Sequence, residues 1–266
     1  MPKLPSKTDN RTGDLCADVV HQWLTPDWSI PGVRGYVSTR YESGISCPPY
    51  NGFNTADHVG DDPDSVHACR QALQRYFQWP HPPQWLKQVH GTAVAEAGTE
   101  DIDLEADAVI TTKPQHICTL HTADCLPVFF ADQSGSMVAL AHAGWRGLAA
   151  GILENVVSRM QQAQVPVERI IVWLGPAIGQ AAFEVGPEVR EAFLRNDSGA
   201  ETAFIPNASG RWQADLYTLA KRRLQAAGVT AITGGQYCTW SDPRFFSYRR
   251  QAVTGRMVSL LWLEPN

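Results

Sequence analysis

A cysteine and a histidine stand at the ends of two apolar runs in the segment HTADCLPVFFADQSGSMVALAHAGWRG, residues 121–147. The runs at 126–131 and 137–141 have the length and composition of β-strands, and the polar DQSG between them predicts a hairpin. A four-residue loop sets a register in which Cys125 faces His142. The sequence therefore predicts a thiol and an imidazole on one face of a sheet.

This pair could hold a metal ion. Directly opposed residues have Cβ atoms about 4.5–5.5 Å apart, and a third ligand would make the site tight. His90 in KQVHG is the leading candidate, since it ends an expected strand and precedes a glycine. One cysteine and two histidines leave a fourth position for water, whose pKa Zn²⁺ lowers to about 7. Pro127 cannot donate a ladder hydrogen bond, so a bulge or a one-residue slip is the alternative register.

The competing interpretation of these residues is structural. Both histidines would be ordinary hydrogen-bonded side chains near strand ends, and Cys125 would be an inert buried thiol. The residues alone leave the two interpretations about equal.

Other polar residues near this segment suit substrate binding. The loop AGWRG precedes an expected helix, whose first N–H groups can hold an anion, and Arg146 adds a fork for phosphate or carboxylate. A tight turn with a solvated arginine is the simpler alternative. His58 and Asp61 in DHVGDD could orient substrate or transfer protons, although such loops are more often plain turns. His121 is a candidate partner of the metal ligands or a surface histidine.

Composition indicates a folded protein that acts on small molecules. The chain has 266 residues, of which 44% are hydrophobic and 18% charged, enough for a sizeable core. The net charge of −5 argues against nucleic acid or anionic membranes as partners. Six scattered cysteines without a Cys-x-x-Cys pair predict free thiols in a reducing cytoplasm. Neither a signal peptide nor a membrane-spanning run is evident.

The order of elements predicts an α+β fold. Residues 1–22 are polar and rich in turn formers, which predicts a flexible N-terminal extension, and 23–266 contain no repeat or linker and predict a single domain. Strands and helices alternate without a regular βαβ pattern. Strands are expected at 33–38, 85–90, 108–111, 117–120, 170–174 and 257–263, and helices after Pro63 and at 148–160, 187–194 and 215–226.

Several longer motifs resemble one family. In chain order KQVHG, TADCLPV, AHAGWRGLAAG, WLGPAIG, FFSYRR and TGRMVSLLWL are similar to the YfiH-like laccase-domain family. Its members are also called purine nucleoside phosphorylases or peptidoglycan-editing factors, formerly polyphenol oxidases. The likeness implies a four-layer α/β/β/α sandwich, shared with cysteine hydrolases. It also implies one Zn²⁺ held by His90, Cys125 and His142.

The resemblance implies a zinc-dependent purine nucleoside phosphorylase acting on adenosine, inosine and methylthioadenosine, with adenosine deaminase activity. Cys125 and Arg146 would be catalytic, and Arg40, His58 and Arg146 would bind substrate or phosphate. The partners would be nucleosides and phosphate, and the protein a cytoplasmic monomer. YESGIS after Arg40 and FNTA at 53–56 depart from the family pattern, which leaves substrate choice open.

Three other functions are weighed against this one. The first is hydrolysis by zinc, or by a Cys125 nucleophile that His142 activates, which removes a misincorporated amino acid from a peptidoglycan precursor. The second is a non-catalytic metal- or nucleotide-binding module. Copper polyphenol oxidase ranks last, because eight scattered histidines do not supply the dense clusters of a multicopper enzyme.

Overall fold

The computed structural model describes residues 23–40, 45–98 and 104–265. The expected N-terminal extension at 1–22 and the first four residues of YESGIS lie outside these ranges. None of the helices in the described ranges is long and apolar enough to cross a membrane.

The described residues form twelve strands and five α-helices. The strands are β1 (Val33–Val37), β2 (Val94–Glu96), β3 (Ala108–Thr111), β4 (Cys118–Thr122), β5 (Leu126–Asp132), β6 (Val138–Ala143), β7 (Ile170–Leu174), β8 (Glu184–Val185), β9 (Phe204–Pro206), β10 (Trp212–Ala214), β11 (Ala231–Gly234) and β12 (Met257–Leu263). The helices are α1 (Pro63–Phe77), α2 (Trp145–Ala150), α3 (Ile152–Gln162), α4 (Pro187–Leu194) and α5 (Leu216–Ala226). Three short 3₁₀ helices occur at 167–169, 180–182 and 198–203.

The largest sheet has six strands in the order β11-β7-β5-β6-β3-β2. β5 pairs antiparallel with both β6 and β7, whereas the outer pairs β2–β3 and β7–β11 are parallel. Every residue of β5 and β6 is buried, as expected for central strands covered on both faces. This sheet confirms the mixed α+β class.

Three apolar clusters separate the layers of the fold. Val128 and Phe130 on one face of the large sheet pack against α3 and α5. Phe129 on the opposite face packs against a second, three-stranded sheet, β1-β12-β4. The outer face of that sheet, including Leu260, packs against Leu73 of α1. These clusters thus lie between the helices and the large sheet, between the two sheets, and between the second sheet and α1.

The predicted hairpin exists, but its register is wrong by two residues. His142 pairs with Pro127 rather than with Cys125. Asp132 continues β5, and its N–H donates to the carbonyl oxygen of Met137 (2.9 Å), so the turn lies one residue later than predicted. Within the turn the Asp132 carboxylate accepts hydrogen bonds from the hydroxyls of Ser134 and Ser136. Since side chains alternate with a period of two, a two-residue shift leaves Cys125 on the same side as His142.

The strand predicted at 85–90 is wrong. In this segment Lys87 forms an isolated bridge with Glu105, and no ladder follows among the described residues. The side-chain amide of Gln88 takes the place of a neighbouring strand, because it bonds the backbone N–H (2.7 Å) and C=O (2.9 Å) of His121.

One helix prediction is also corrected. The helix expected at 148–160 is divided into α2 and α3 by Gly151, which has φ +102°, a conformation outside the helical region. The helix expected after Pro63 is α1, and Asp62 caps it by accepting the N–H of Ser65 with its carboxylate.

Candidate metal centre

One buried carboxylate, that of Asp107, holds both histidine-bearing segments. Its oxygens accept the backbone N–H groups of Val89 (3.2 Å), His90 (2.9 Å) and Gly91 (2.6 Å). Oδ1 also lies 2.7 Å from Nδ1 of His142. Asp107 is fully buried, and although burial opposes its ionisation, the bonds from His142 and Gly91 lower its pKa. A single anion therefore fixes the position of two candidate ligands.

Three candidate ligands converge beside this carboxylate. The ligand atoms of His90, Cys125 and His142 all lie within 4.8 Å of one another, and Sγ of Cys125 is 3.8 Å from Nε2 of His90. Because Asp107 occupies Nδ1 of His142, Nε2 is the nitrogen left for a metal. Cys125 lies diagonally across the hairpin from His142 rather than directly opposite it. Its sulfur still reaches the His142 ring, as the sequence predicted.

The glycines of AGWRG are required by close packing against the ligands. A Cβ on Gly144 would lie 2.7 Å from Cδ2 of His90 and 3.1 Å from Sγ of Cys125. A Cβ on Gly147 would lie 2.8 Å from the carbonyl oxygen of Gly91. A larger residue at either position would push the loop away from the candidate ligands His90 and Cys125 or from the backbone of Gly91.

The cysteine is poised as a thiolate. Burial disfavours its charged form, but the neighbouring His142 lowers the pKa of Cys125 to about 6. Burial likewise opposes protonation of His142, whereas the thiolate and Asp107 together raise its pKa to about 9. At neutral pH the sulfur is therefore in the form that binds metal and attacks electrophiles.

The donor set fits a single zinc ion. One sulfur and two imidazole nitrogens are common zinc ligands, and a zinc ion held by three protein ligands would have a fourth position for water or substrate. A His₂Cys set also occurs in blue-copper sites. Among the described residues this is the one cluster of three such ligands, so a multicopper centre finds no further donors there.

The centre opens into a pocket of about 430 Å³. Phe183 and the exposed ring of Tyr248 are among the residues that line it, and Arg146 at the start of α2 lies over the ring of Trp145 at 4.4 Å. His58 also lines the pocket. The structure therefore brings two of the three predicted substrate-binding residues to the metal centre.

Arg40 does not line this pocket. Its Nε donates to the carbonyl oxygen of Asn51 (3.1 Å) and its Nη2 to Oδ1 of the same residue (2.5 Å). Asp61 is likewise engaged, accepting from Ser46 (2.7 Å) and Asn54 (2.8 Å). A phosphate-binding role for Arg40 stays a prediction.

His121 is not a surface residue, and its hydrogen bonds within the described ranges go to Thr55 and Gln88 rather than to a candidate metal ligand. It is buried, stacks parallel to Trp85 with centroids 5.1 Å apart, and shares a 2.9 Å hydrogen bond with Oγ1 of Thr55. Burial holds its pKa well below the usual value, so its ring is neutral at pH 7. It forms part of the pocket wall.

Sequence reasoning missed Asp107 and Arg256. Asp107 directly precedes the wholly buried β3, and an acid at such a position is the one signal that could have identified it. Arg256, in TGRMVSLLWL, also lines the pocket, but no local pattern distinguishes it from the other arginines of the C-terminal segment.

Comparison with known proteins gives consistent matches over most of the chain. Residues 35–264 match the family model described as multi-copper polyphenol oxidoreductase laccase. A Pseudomonas aeruginosa protein named purine nucleoside phosphorylase is 50% identical over 248 residues, covering 92% of this chain and all of that protein. The Escherichia coli protein named purine nucleoside phosphorylase YfiH is 48% identical, covering 90% of this chain and 98% of its own.

Solved structures agree with these matches. A Neisseria meningitidis protein is 41% identical with a TM-score of 0.85, covering 92% of this chain and all of that one. YlmD from Geobacillus stearothermophilus is 29% identical with a TM-score of 0.84, covering 92% and 97%.

The Asp107 contacts generate a prediction about metal affinity. Asp107→Asn should weaken Zn²⁺ binding about 10- to 100-fold, because an amide cannot accept all the bonds that orient His90 and His142. Competition with a chromogenic chelator measures this. Asp132, equally buried but remote from the cluster, supplies the matched Asp132→Asn control, which should bind zinc normally. Wild-type affinity in both variants would contradict the role of Asp107.

The buried imidazole of His121 generates a prediction about pH. The unfolded chain protonates His121 near pH 6.5, whereas the folded protein keeps it neutral to much lower pH. Unfolding therefore takes up a proton below pH 6.5, and stability falls on acidification by up to about 1.4 kcal/mol per pH unit. In urea titrations at pH 7.5 and 5.5, His121→Gln should lose less stability than wild type. The exposed His67→Gln should behave as wild type, and equal losses in all three proteins would refute the assignment.

Proposed function

The chain belongs to the multi-copper polyphenol oxidoreductase laccase family, and we propose that it is a zinc-dependent purine nucleoside phosphorylase. The observation that carries this proposal is the position of the three-ligand cluster in the wall of a nucleoside-sized pocket. Relatives named purine nucleoside phosphorylase, at 44% to 50% identity over nearly their whole length, support the same activity.

The pocket offers a complementary group for each part of a nucleoside substrate. Its volume lies within the ~300–1,000 Å³ typical of small-molecule sites. The rings of Phe183 and Tyr248 suit stacking on a purine, and Arg146 suits an anion. We assign adenosine, inosine and methylthioadenosine as substrates, with His58 and Arg146 as binding residues.

In this proposal, bound zinc supplies a Lewis acid that polarises oxygen and activates water for deamination of adenosine. His90, Cys125 and His142 would hold it, and Asp107 would keep the His142 ring in the tautomer that presents Nε2. In phosphorolysis a phosphate oxygen bonds to C1′, the glycosidic C–N bond breaks, and the purine leaves with the electron pair and takes up a proton. Arg146 would offset the negative charge that gathers during this exchange.

A cysteine hydrolase is the second candidate. The Cys125 thiolate, His142 and Asp107 also form the nucleophile, base and orienting acid of a hydrolytic triad. Such a site would remove a misincorporated amino acid from a peptidoglycan precursor. We rank copper polyphenol oxidation last, since the cluster supplies ligands for one ion.

We further propose that residues 23–266 act as a single-domain monomer in the cytoplasm, without nucleic-acid or membrane partners. Cys47, Cys118, Cys125 and Cys238 are free thiols, which is consistent with a reducing compartment. The net charge of −5 is consistent with small-molecule substrates.

Product analysis separates the two enzymatic candidates. Wild-type protein should release adenine from adenosine only with phosphate, and inosine without it. Cys125→Ser and zinc removal should each lower both rates at least about 100-fold, because either change breaks the metal centre. The exposed Cys47→Ser is the matched control and should retain both rates. Activity that survives complete zinc removal but is lost on thiol alkylation would favour the cysteine nucleophile instead.

A further inference from the structure

Asp124 precedes the candidate ligand Cys125 in an unusual backbone conformation. Its φ is +93°, in the left-handed region that residues other than glycine seldom adopt. The chain leaves β4 of the three-stranded sheet after Thr122 and enters β5 of the six-stranded sheet at Leu126. The short connection around Asp124 therefore carries the chain from one sheet to the other. A strained conformation of this kind persists only where surrounding contacts fix it.

Contacts from two distant loops fix Asp124. Its carboxylate is buried, with Oδ1 accepting the hydroxyl of Thr239 (2.6 Å) and Oδ2 accepting the backbone N–H of Arg249 (2.7 Å). Its carbonyl oxygen accepts the N–H of Ile178 (2.9 Å). Ile178 lies in the loop after β7, and the other two donors lie between β11 and β12. Asp124 thus joins the connection between the sheets to both loops.

The same two loops contribute to the pocket at the candidate metal centre. Ile178, Tyr248 and Arg249 line it together with Asp124 and Cys125. The bonds of Asp124 to Ile178 and Arg249 therefore tie the segment that carries the sulfur to the part of the wall that these loops form.

The sulfur of Cys125 has little freedom to move without leaving the cluster. Its Sγ is 3.8 Å from Nε2 of His90, and a Cβ on Gly144 would lie 3.1 Å from it. Cys125 shares a planar peptide unit with Asp124, so a rotation of the Asp124 backbone would turn the Cys125 side chain as well. The conformation of Asp124 and the direction of the sulfur are therefore coupled.

We propose that Asp124 is a positioning residue that holds the Cys125 sulfur in metal-ligand geometry beside the substrate wall. Asp107 orients the two imidazoles, and Asp124 orients the third ligand. The inference rests on the proposed zinc-dependent function. Asp124 acts through Cys125 and its own hydrogen bonds, and needs no contact with substrate.

Three substitutions separate the hydrogen bonds of Asp124 from its charge and its backbone strain. Asp124→Asn removes the charge, but its amide can donate to the Thr239 hydroxyl while its oxygen accepts the Arg249 N–H. Asparagine also tolerates positive φ better than most residues. Asp124→Gly fits the backbone without strain but loses both side-chain bonds. Asp124→Ala loses the bonds and keeps the strain.

Cobalt substitution reports the position of the sulfur directly, because a thiolate bound to Co²⁺ gives a charge-transfer absorption band. Asp124→Ala and Asp124→Gly should bind Co²⁺ at least about 10-fold more weakly, the low end for groups that orient metal ligands. They should also lose most of the band per bound ion. Asp124→Asn should keep both properties within about two-fold of wild type, since it can remake both bonds.

Asp132→Ala is the matched control for a general loss of stability. Asp132 is also a buried carboxylate bonded by hydroxyls, but it lies at the opposite end of β5 from Cys125. Its substitution should leave Co²⁺ affinity and the band as in wild type. A positioning role for Asp124 therefore predicts an effect that destabilisation alone does not produce.

The outcomes distinguish the positioning role from the proposed function. A wild-type band in folded Asp124→Gly overturns the inference, and so does an Asp124→Asn variant that behaves like Asp124→Ala. If the glycine and alanine variants do not fold, Thr239→Val removes only the bond to Oδ1 and should weaken the band; an unchanged band again overturns the role. Wild type without the band overturns it too. The band requires no turnover, so wild type that shows it but releases no adenine refutes the phosphorylase alone.

Discussion

The carboxylate of Asp107 is the interaction on which the candidate metal centre depends. A buried charge is tolerated only when donors surround it, and here three consecutive N–H groups and an imidazole do so. Those N–H groups belong to the loop that carries His90, and the imidazole is His142. The contacts that offset the cost of burying the Asp107 charge therefore also align the two candidate histidine ligands. Asp107 thus contributes both to the stability of the fold and to the geometry of the site.

The surrounding fold makes this arrangement rigid. The two strands that lead to Cys125 and His142 are buried on both faces, between helices on one side and a second sheet on the other. Close packing leaves few alternative positions for strand ends. The glycine loop after β6 then brings backbone close to the ligands, which a side chain at Gly144 would prevent. The pocket lies where both sheets end, so ligands from one sheet and Arg256 from the other face a common space.

Local patterns predicted the elements better than the contacts between them. Alternation and turn residues predicted the hairpin and its buried face, but Asp132 continues β5, so the turn begins one residue later and the pairing of His142 shifts by two residues. The spacing of apolar residues did not reveal that Gly151 divides the helix, because that spacing carries no information about the backbone φ angle of a glycine. Asp107 and Arg256 escaped prediction for a deeper reason. Their roles arise from residues distant in the chain, such as His142 for Asp107, and one sequence contains no record of such pairings.

The most direct test of the three-ligand centre is zinc X-ray absorption on the zinc-loaded protein. One ion per chain with one sulfur at about 2.3 Å and two imidazole nitrogens at about 2.0–2.1 Å is the expected result. The sulfur contribution should disappear in Cys125→Ser. A zinc ion bound by nitrogen and oxygen alone in the wild-type protein, or a sulfur signal that persists in Cys125→Ser, would contradict the centre.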